Sequence, residues 1–204
     1  MRRVALTGGI ATGKSYCLGK FAEAGAPTID ADALARQAVT PGTAGFRAVV
    51  ARFGAAVVLP DGSLDRAALG RLVFADTGAR RALEAIIHPA VYGAIERWFD
   101  ALEKAGRAPA AIADIPLLFE TRHEHEFDDV VVAACPPAVQ LARVMARDGL
   151  LENEARQRLA SQWPIDNKRA RASHVIDTSG TMEETDAQVR GVWAKLTGGV
   201  PRPR

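Results

Sequence analysis

Short apolar runs alternate with longer amphipathic segments along most of the chain. Such an alternation is typical of a parallel sheet that is covered by helices. The runs that predict strands are Arg3 to Thr7, Pro27 to Ile29, Ala110 to Asp114, Asp129 to Ala134 and His174 to Ile176. We therefore predict an α/β fold in which helices flank a parallel five-stranded sheet.

The segment between the second and third of these strands has a different pattern. From about Asp32 to Gly106 it is mostly helical, and it breaks only at residues 57–62, where a small turn or hairpin is expected. His88-Pro89 should open a helix there, because proline suits the first helical turn. The segment is predicted to be an inserted helical subdomain that holds a second substrate.

A further helical stretch, Pro137 to Gln162, is rich in arginine. Arg143 and Arg147 are four residues apart, so on a helix they share one face and could grip the same phosphate group. A solvated arginine face is the alternative. The stretch is predicted to form a mobile lid, since closing segments keep water from a transferable phosphoryl group.

The first strand leads directly into a glycine-rich loop, Gly8 to Ser15, which matches the phosphate-binding pattern G-x-x-x-x-G-K-[ST]. Glycines let successive backbone N–H groups converge on an anionic phosphate. Lys14 would then reach the β and γ phosphates, and Ser15 would offer its hydroxyl to magnesium. A glycine-rich turn that binds nothing is the alternative, and the strand-to-helix context argues against it. The helix after the loop should stop near Gly25.

Bulk properties place this chain among cytoplasmic proteins. It has 204 residues, 48% of them hydrophobic, and a formal net charge of +2. Cys17 and Cys135 lie in apolar segments and are expected to be buried free thiols. The start of the chain enters a core strand rather than a signal peptide, and no long apolar run predicts a membrane span. The tail, residues 198–204, is expected to be disordered.

Three acidic residues follow predicted strands, at the sheet edge where ligands of open α/β sheets collect. Asp30 and Asp32 would point the same way if the chain stayed extended, and one of them could deprotonate an attacking hydroxyl. The alternative is that one caps the next helix; capping is favoured for Asp30 and catalysis for Asp32. Asp114 ends a small apolar strand, as is typical of a magnesium-holding acid, although a capping or turn role is possible for it.

The loop after Asp114 is strongly apolar and runs from Ile115 to Glu120. It predicts either a substrate with an apolar or aromatic part, or packing against the inserted helices. His88 is a candidate for the same substrate, but a lone histidine is more often structural.

Together these stretches resemble the dephospho-CoA kinase family over nearly the whole chain. The shared elements are Leu6 to Ile10 with Gly13-Lys14-Ser15, Asp30-Ala31-Asp32 with Ala35-Arg36, Pro41-Gly42, Phe53-Gly54, Asp61-Gly62 with Leu64-Asp65-Arg66, Val73-Phe74, Leu83-Glu84, His88-Pro89, Asp114 to Glu120, Gln140 with Arg143 and Arg147, Gln162, and Val175-Ile176-Asp177. The Pro-Leu-Leu-Phe-Glu stretch and the His-Pro pair are specific to that family, whereas the phosphate loop is widely shared.

The resemblance implies a kinase of the P-loop NTPase fold that transfers the γ-phosphoryl group of ATP to the ribose 3′-hydroxyl of dephospho-CoA, giving CoA and ADP. Its implied parts are a nucleotide-binding core (residues 1–31, 108–136 and 164–200), a helical domain for the acceptor (32–107) and a lid (137–163). A monomer that binds these two small molecules, and neither nucleic acid nor membrane, is expected.

The resemblance also implies roles for individual residues. Catalysis would rest on Asp32 as the base, with Lys14, Arg143 and Arg147 neutralising charge. The residues expected to hold ATP are Gly9, Ile10, Ala11, Thr12, Gly13, Lys14, Ser15 and Tyr16. Those expected to hold the acceptor are Asp32, Arg36, His88, Leu117, Leu118 and Phe119, and Mg²⁺ would contact Ser15 and Asp114.

Three positions depart from the family pattern. Ala11 replaces a frequent glycine and is tolerable only if its φ is negative. Tyr16 stands where a small hydroxyl residue is common, and Thr178 stands where asparagine is frequent. None of the three is a phosphate-transfer residue.

Two other functions are compatible with a phosphate loop. A nucleoside or nucleoside-monophosphate kinase would use the same loop and an arginine lid, but the family-specific apolar loop argues against it. A nucleotide-dependent switch is the rival from another class, and it has no need of a second apolar pocket. Binding of dephospho-CoA separates these hypotheses.

Overall fold

A five-stranded parallel sheet forms the centre of the computed structural model, which describes residues 1–106 and 108–198. The strands are β1 (Arg2–Gly8), β2 (Thr28–Asp30), β3 (Ala110–Asp114), β4 (Asp129–Ala134) and β5 (His174–Asp177), in the order β2-β3-β1-β4-β5. All five predicted strands are confirmed, with ends that agree to within one residue. The tail beyond residue 198, for which disorder was predicted, lies outside the described residues.

The sheet brings three chain segments to one edge. Central strand β1 pairs with β3 through Leu6 and Asp114, and with β4 through Gly8 and Ala133. Parallel strands end at the same edge, so the loops that follow β1, β3 and β4 meet there. This edge carries the phosphate loop and Asp114.

The helices agree broadly with the amphipathic segments. They are α1 (Lys14–Glu23), α2 (Ala31–Ala38), α3 (Ala44–Phe53), α4 (Arg66–Ala75), α5 (Thr77–Ala105), α6 (Pro137–Asp148), α7 (Glu152–Leu159), α8 (Ile165–Arg169) and α9 (Met182–Gly198), with short 3-10 helices at Ala55–Val57 and Glu124–Glu126. Helix α1 ends just before Gly25, as predicted, and Gly25 has a φ of 89°. None of the helices among the described residues is long and apolar enough to cross a membrane.

The chain divides into two compact units. The sheet unit comprises residues 1–29 and the chain from residue 101 onward. Its core joins the sheet to α1 and α9 through the buried side chains of Val4, Leu6, Phe21, Ile112, Val131, Ile176, Val189 and Leu196. Cys17 and Cys135 are buried free thiols in this unit, as the sequence predicted.

The helical unit comprises residues 30–100. Its separate core consists of Val39, Val49, Val57, Leu64 and Leu69, against which further apolar side chains pack. An isolated antiparallel bridge joins Val58 to Leu64, which confirms the small hairpin predicted at the break in the helical pattern.

His88-Pro89 does not open a helix, and that prediction is wrong. Both residues lie inside α5, which begins at Thr77. The start is set by Asp76, whose carboxylate accepts a hydrogen bond from the N–H of Gly78 at 2.7 Å. Pro89 lacks an N–H and cannot complete the helical ladder at its position. The remaining contacts of this 29-residue helix nonetheless keep it continuous through the proline.

Candidate active site

The loop between β1 and α1 is shaped by glycines where no side chain fits. Gly13 has a φ of 75°, in the left-handed region, and the side chain of Thr178 lies 3.4 Å from where its Cβ would stand. A Cβ on Gly8 would lie 2.6 Å from the carbonyl oxygen of Ala133 and from Oγ1 of Thr12. Gly8 therefore has no room for a side chain, whereas glycine is favoured at position 13 by the left-handed backbone that the turn requires.

Ala11 also has a positive φ, 59°, which corrects the expectation that it would be negative. This conformation costs an L-residue about 1–2 kcal/mol. The loop is held on both sides of this position. The N–H of Thr12 donates to the carbonyl of Gly9 at 3.3 Å, and a guanidinium nitrogen of Arg143 lies 3.5 Å from the Ala11 carbonyl oxygen. Such surroundings keep a strained backbone in place at binding loops.

Lys14 and Asp114, predicted separately, are brought into direct contact. The Lys14 ammonium lies 2.5 Å from both carboxylate oxygens of Asp114. Their side chains are only 15% and 5% exposed, so the pair is largely shielded from solvent. The lysine of the loop is thus held at the end of β3.

Ser15 and Tyr16 occupy the first turn of α1 and differ in their surroundings. Ser15 is exposed. The Tyr16 hydroxyl donates to Asp186 at 2.7 Å, and this bond raises the pKa of Tyr16 and lowers that of Asp186. The Tyr16 side chain is therefore engaged with α9, and its backbone N–H is the group it can offer to a phosphate.

Arg143 and Arg147, both on α6, make different contacts. Arg143 donates to the backbone carbonyl of Thr178 at 2.6 Å and to its hydroxyl at 3.3 Å, in addition to its contact with Ala11. Arg147 is 55% exposed and forms a two-point ion pair with Asp148 at 2.8 and 2.9 Å, which lowers the pKa of that carboxyl. Arg143 thus lies at the loop, whereas Arg147 lies at the surface.

Two glutamines hold the loop at Ile10, a role that the sequence did not reveal. The Gln140 amide donates to the Ile10 carbonyl at 2.9 Å, and the Gln162 amide oxygen accepts from the Ile10 N–H at 3.1 Å. Both glutamines are among the residues that this chain shares with the family it resembles, and that resemblance was the one sign in the sequence that they matter. The predicted lid segment therefore contacts the phosphate loop through both backbone polar groups of one residue, Ile10.

The apolar loop after β3 exposes one of its three predicted acceptor contacts. Leu117 is 40% exposed, whereas Leu118 and Phe119 are fully buried. Phe119 stacks on Trp163 with 6.2 Å between the ring centroids. Leu118 and Phe119 have no exposed surface in this conformation, and their predicted place in the acceptor pocket stays a prediction. Their apolar side chains instead anchor the loop in the core.

In the helical unit, Asp30 caps α2 through hydrogen bonds from the N–H groups of Asp32 and Ala33, at 2.7 and 3.2 Å. The predicted capping role of Asp30 is confirmed. The chain becomes helical at Ala31, so the extended geometry that would have pointed both carboxylates the same way is not formed. Asp32 is left exposed at the start of the helix.

Asp32 lines a cavity of about 310 Å³ within the helical unit. Arg36 and Arg66 lie on its wall, and the apolar part consists of Ala35, Val39, Leu64, Leu69, Val73, Leu83 and Ile87. The cavity combines one carboxylate and two guanidinium groups with an apolar surface, which suits a ligand that is both charged and apolar. His88 is not among the lining residues and contacts the ring of Tyr92 edge to face.

A strand, a glycine-rich loop and a helix that begins with Lys-Ser, beside a strand-end acid, define a P-loop nucleotide-binding protein. The fold is shared with shikimate kinase from Acinetobacter baumannii, 16% identical, at a TM-score of 0.51 over 97% of this chain and 94% of that one. A protein from Thermus thermophilus is 36% identical, with a TM-score of 0.80 over 97% of this chain and 98% of that one. Dephospho-CoA kinase from Campylobacter jejuni is 26% identical, with a TM-score of 0.74 over the same shares.

The family model for dephospho-CoA kinase matches residues 2–184. Dephospho-CoA kinase from Anaeromyxobacter dehalogenans is 50% identical over 98% of this chain and 94% of its own length. Dephospho-CoA kinase from Geobacter sulfurreducens is 47% identical over 96% of this chain and 98% of its own length. The chain belongs to the dephospho-CoA kinase family, whose reaction is the ATP-dependent phosphorylation of dephospho-CoA at the end of coenzyme A synthesis.

Proposed function

We propose that this chain transfers the γ-phosphoryl group of ATP to the ribose 3′-hydroxyl of dephospho-CoA, giving CoA and ADP. The observation that carries the proposal is the phosphate loop, with Lys14 at its end, in a chain that matches the family model from residue 2 to 184. The loop provides the site for the phosphate donor, and membership of the family indicates that dephospho-CoA is the acceptor.

On the donor side, the N–H groups of Gly9 to Tyr16 and the start of α1 bind the phosphates. The helix N-terminus carries a partial positive charge that favours an anion there. Lys14 leaves Asp114 when ATP arrives and places its ammonium on the β and γ phosphates. Because charge spreads over the phosphoryl oxygens during transfer, a cation held at this point lowers the barrier.

The donor set at this edge fits magnesium that arrives with the nucleotide. Within residues 1–106 and 108–198 no group of three or more His, Cys, Asp or Glu side chains could hold a metal ion. Magnesium keeps several waters and takes few protein ligands when phosphates are present. Ser15 would contact it directly, and Asp114 would do so directly or through water once Lys14 has moved away. When bound, the ion offsets phosphate charge.

On the acceptor side, Asp32 orients the ribose hydroxyl and accepts its proton as the bond to phosphorus forms. A carboxylate within hydrogen-bond reach of the hydroxyl acts as such a base. We place part of the acceptor in the Asp32-lined cavity of the helical unit, where Arg36 would pair with an acceptor phosphate and the apolar wall would contact uncharged parts of the molecule. Leu117 is the exposed residue of the apolar loop and would contact the acceptor. His88, on α5, would support the part of the molecule that holds the acceptor.

Arg143 and Arg147 neutralise the transferred group after closure of α6 and α7, which act as a lid over the phosphates. Arg143 already contacts the loop, so it needs a small rearrangement, whereas Arg147 must exchange Asp148 for phosphate. We further propose that the enzyme acts as a cytoplasmic monomer on two small molecules, without nucleic acid or membrane partners.

The test is a coupled ADP-release assay with ATP and magnesium. Parallel reactions contain dephospho-CoA, AMP, adenosine or no acceptor, and the product is weighed by mass spectrometry. We expect release only with dephospho-CoA and a product heavier by one phosphoryl group at the 3′ position. Release with AMP or adenosine would assign a nucleotide kinase, and equal release without acceptor would assign an ATPase or switch.

A further inference from the structure

Lys168, on α8, has a completely buried side chain. Lysine is rarely buried to this extent, because removing its charge from water is costly unless the ammonium is fully paired. Lys168 lies in a short, mostly polar helix between Pro164 and Ala170, where local sequence does not predict burial. The charge of Lys168 is therefore buried close to the phosphate loop, at a cost that its surroundings must offset.

The Lys168 ammonium is surrounded by three acceptors, which match its three N–H groups. It donates to the carbonyl of Gly8 at 3.1 Å and to the carbonyl of Pro116 at 3.2 Å, and it pairs with Glu120 at 2.9 Å. Gly8 is the first residue of the phosphate loop, and Pro116 comes two residues after Asp114. The hydroxyl of Thr7 also donates to the Pro116 carbonyl, at 3.2 Å. One cation thus joins the segments that carry Lys14 and Asp114.

The Lys168–Glu120 ion pair leaves part of its hydrogen-bonding capacity unused, which limits its contribution to the stability of the fold. Glu120 uses one oxygen for both Lys168 and the N–H of Trp163, the latter at 2.8 Å. Its other oxygen is buried and has no hydrogen-bond partner among the described residues. Burial lowers the pKa of Lys168, Glu120 opposes that effect, and the charge of Lys14 adds to it. Buried ion pairs often contribute less to stability than apolar groups of the same size, so packing alone does not account for this charge.

We propose that Lys168 is a positioning residue for phosphoryl transfer, which holds the Gly8 and Pro116 carbonyls so that the phosphate loop and the Asp114 strand end stay in the register that transfer requires. The role rests on the proposed kinase reaction. Lys168 acts on the backbone from beneath the loop and does not itself touch the phosphates. A displacement of reacting groups by about 1 Å can cost a hundredfold in rate, so a fixed register has a large kinetic effect.

The test compares three variants with the wild type in the acceptor-dependent assay. Lys168→Met with Glu120→Gln removes both buried charges together, so that no unpaired ion remains. Glu120→Gln alone keeps the ammonium and an acceptor oxygen. Lys104→Met removes an exposed lysine from the last turn of α5 and is the matched control. Melting temperature, kcat and the two KM values are measured for each protein.

We expect the double variant to stay folded and to lose at least tenfold in kcat, with KM for dephospho-CoA changed less than twofold. Glu120→Gln should keep kcat within threefold, because the carbonyl contacts of Lys168 remain, and Lys104→Met should match the wild type. A folded double variant with wild-type kcat overturns the proposal. If the double variant does not fold, Glu120→Gln provides the test. A tenfold loss of kcat in that variant would assign the effect to the ion pair rather than to the carbonyl contacts, and would overturn the proposal. A wild type without acceptor-dependent turnover would instead reject the kinase function itself.

Discussion

The ammonium of Lys14 lies 2.5 Å from each carboxylate oxygen of Asp114, across 100 residues of sequence. The contact exists because β3 and β1 are neighbours, with Leu6 and Asp114 in register. In the proposed reaction each of the two residues exchanges this partner for another: Lys14 for the nucleotide phosphates, and Asp114 for magnesium. This exchange makes the pair the first target for substitution.

Lys14→Met should reduce turnover by orders of magnitude, partly through weaker ATP binding, because it removes the cation that stabilises the transferring phosphoryl group. Asp114→Asn keeps the shape of the side chain but removes its negative charge from the strand end. We expect it to lower kcat at least tenfold and to raise the magnesium concentration needed for half-maximal rate. Titration of the rate with magnesium checks this, and an unchanged magnesium dependence would remove Asp114 from the metal site.

Asp32→Asn should lower kcat by orders of magnitude with little change in KM for ATP, because an amide cannot accept the hydroxyl proton. Asp30→Ala is the matched control, since it removes a carboxylate two residues away. It should cost about 1 kcal/mol of stability through the lost helix cap and leave kcat within a few-fold. Steady-state kinetics and urea unfolding separate the two effects. Near-normal turnover of Asp32→Asn would refute its role as base.

Arg147→Ala should leave the affinity for ATP nearly unchanged and slow transfer, because Arg147 is 55% exposed and engaged with Asp148 before the lid closes. Arg143→Ala should slow transfer and also weaken ATP binding, because Arg143 contacts Thr178 and Ala11 beside the loop. Calorimetric ATP binding and single-turnover rates measure these effects. A loss confined to acceptor binding in Arg147→Ala would contradict the lid role.

Leu117 and Leu118 are adjacent but should respond differently to truncation. Leu118→Ala removes a fully buried side chain and should cost about 2–5 kcal/mol of stability. Leu117→Ala should change stability little and raise KM for dephospho-CoA several-fold, since Leu117 is the exposed member of the loop. Thermal unfolding and acceptor kinetics test the pair. An unchanged KM in Leu117→Ala would exclude this loop from the acceptor site.

Cys17 should be inert to thiol reagents in the folded protein. Burial raises the pKa of Cys17 to about 12, so at pH 8 only about one thiol in ten thousand is ionised. Native protein should therefore react with iodoacetamide orders of magnitude more slowly than protein in denaturant, as followed by mass spectrometry. Rapid labelling of Cys17 without denaturant would contradict its burial.

The same thiol makes stability depend on alkaline pH. Above about pH 9 the unfolded chain releases the Cys17 proton that the native state retains, so the unfolded state binds fewer protons. The contribution of this group to the free energy of unfolding therefore falls as pH rises from about 9 to 12. Cys17→Ala removes this dependence, and comparison of unfolding curves at pH 8 and pH 10 measures it.

Local patterns were sufficient for much of the architecture. The five strands, the phosphate loop, the end of α1 before Gly25 and the Asp30 cap follow from apolar periodicity and turn chemistry, which act over a few residues. The same kind of rule was wrong at His88-Pro89, where a proline that suits a helix start lies inside α5. It was also wrong at Ala11, whose positive φ is maintained by neighbours that the sequence does not place beside it.

The sequence by itself determined the secondary elements, the phosphate loop and the family, because each depends on residues that are close together or on motifs in a fixed order. Only the tertiary structure decided that Lys14 contacts Asp114, that Gln140 and Gln162 hold Ile10, and that Lys168 is buried beneath Gly8. These contacts join residues 100 or more positions apart, and they depend on strand order and register. Local periodicity does not encode that order, because a strand has the same alternation whichever neighbour it pairs with.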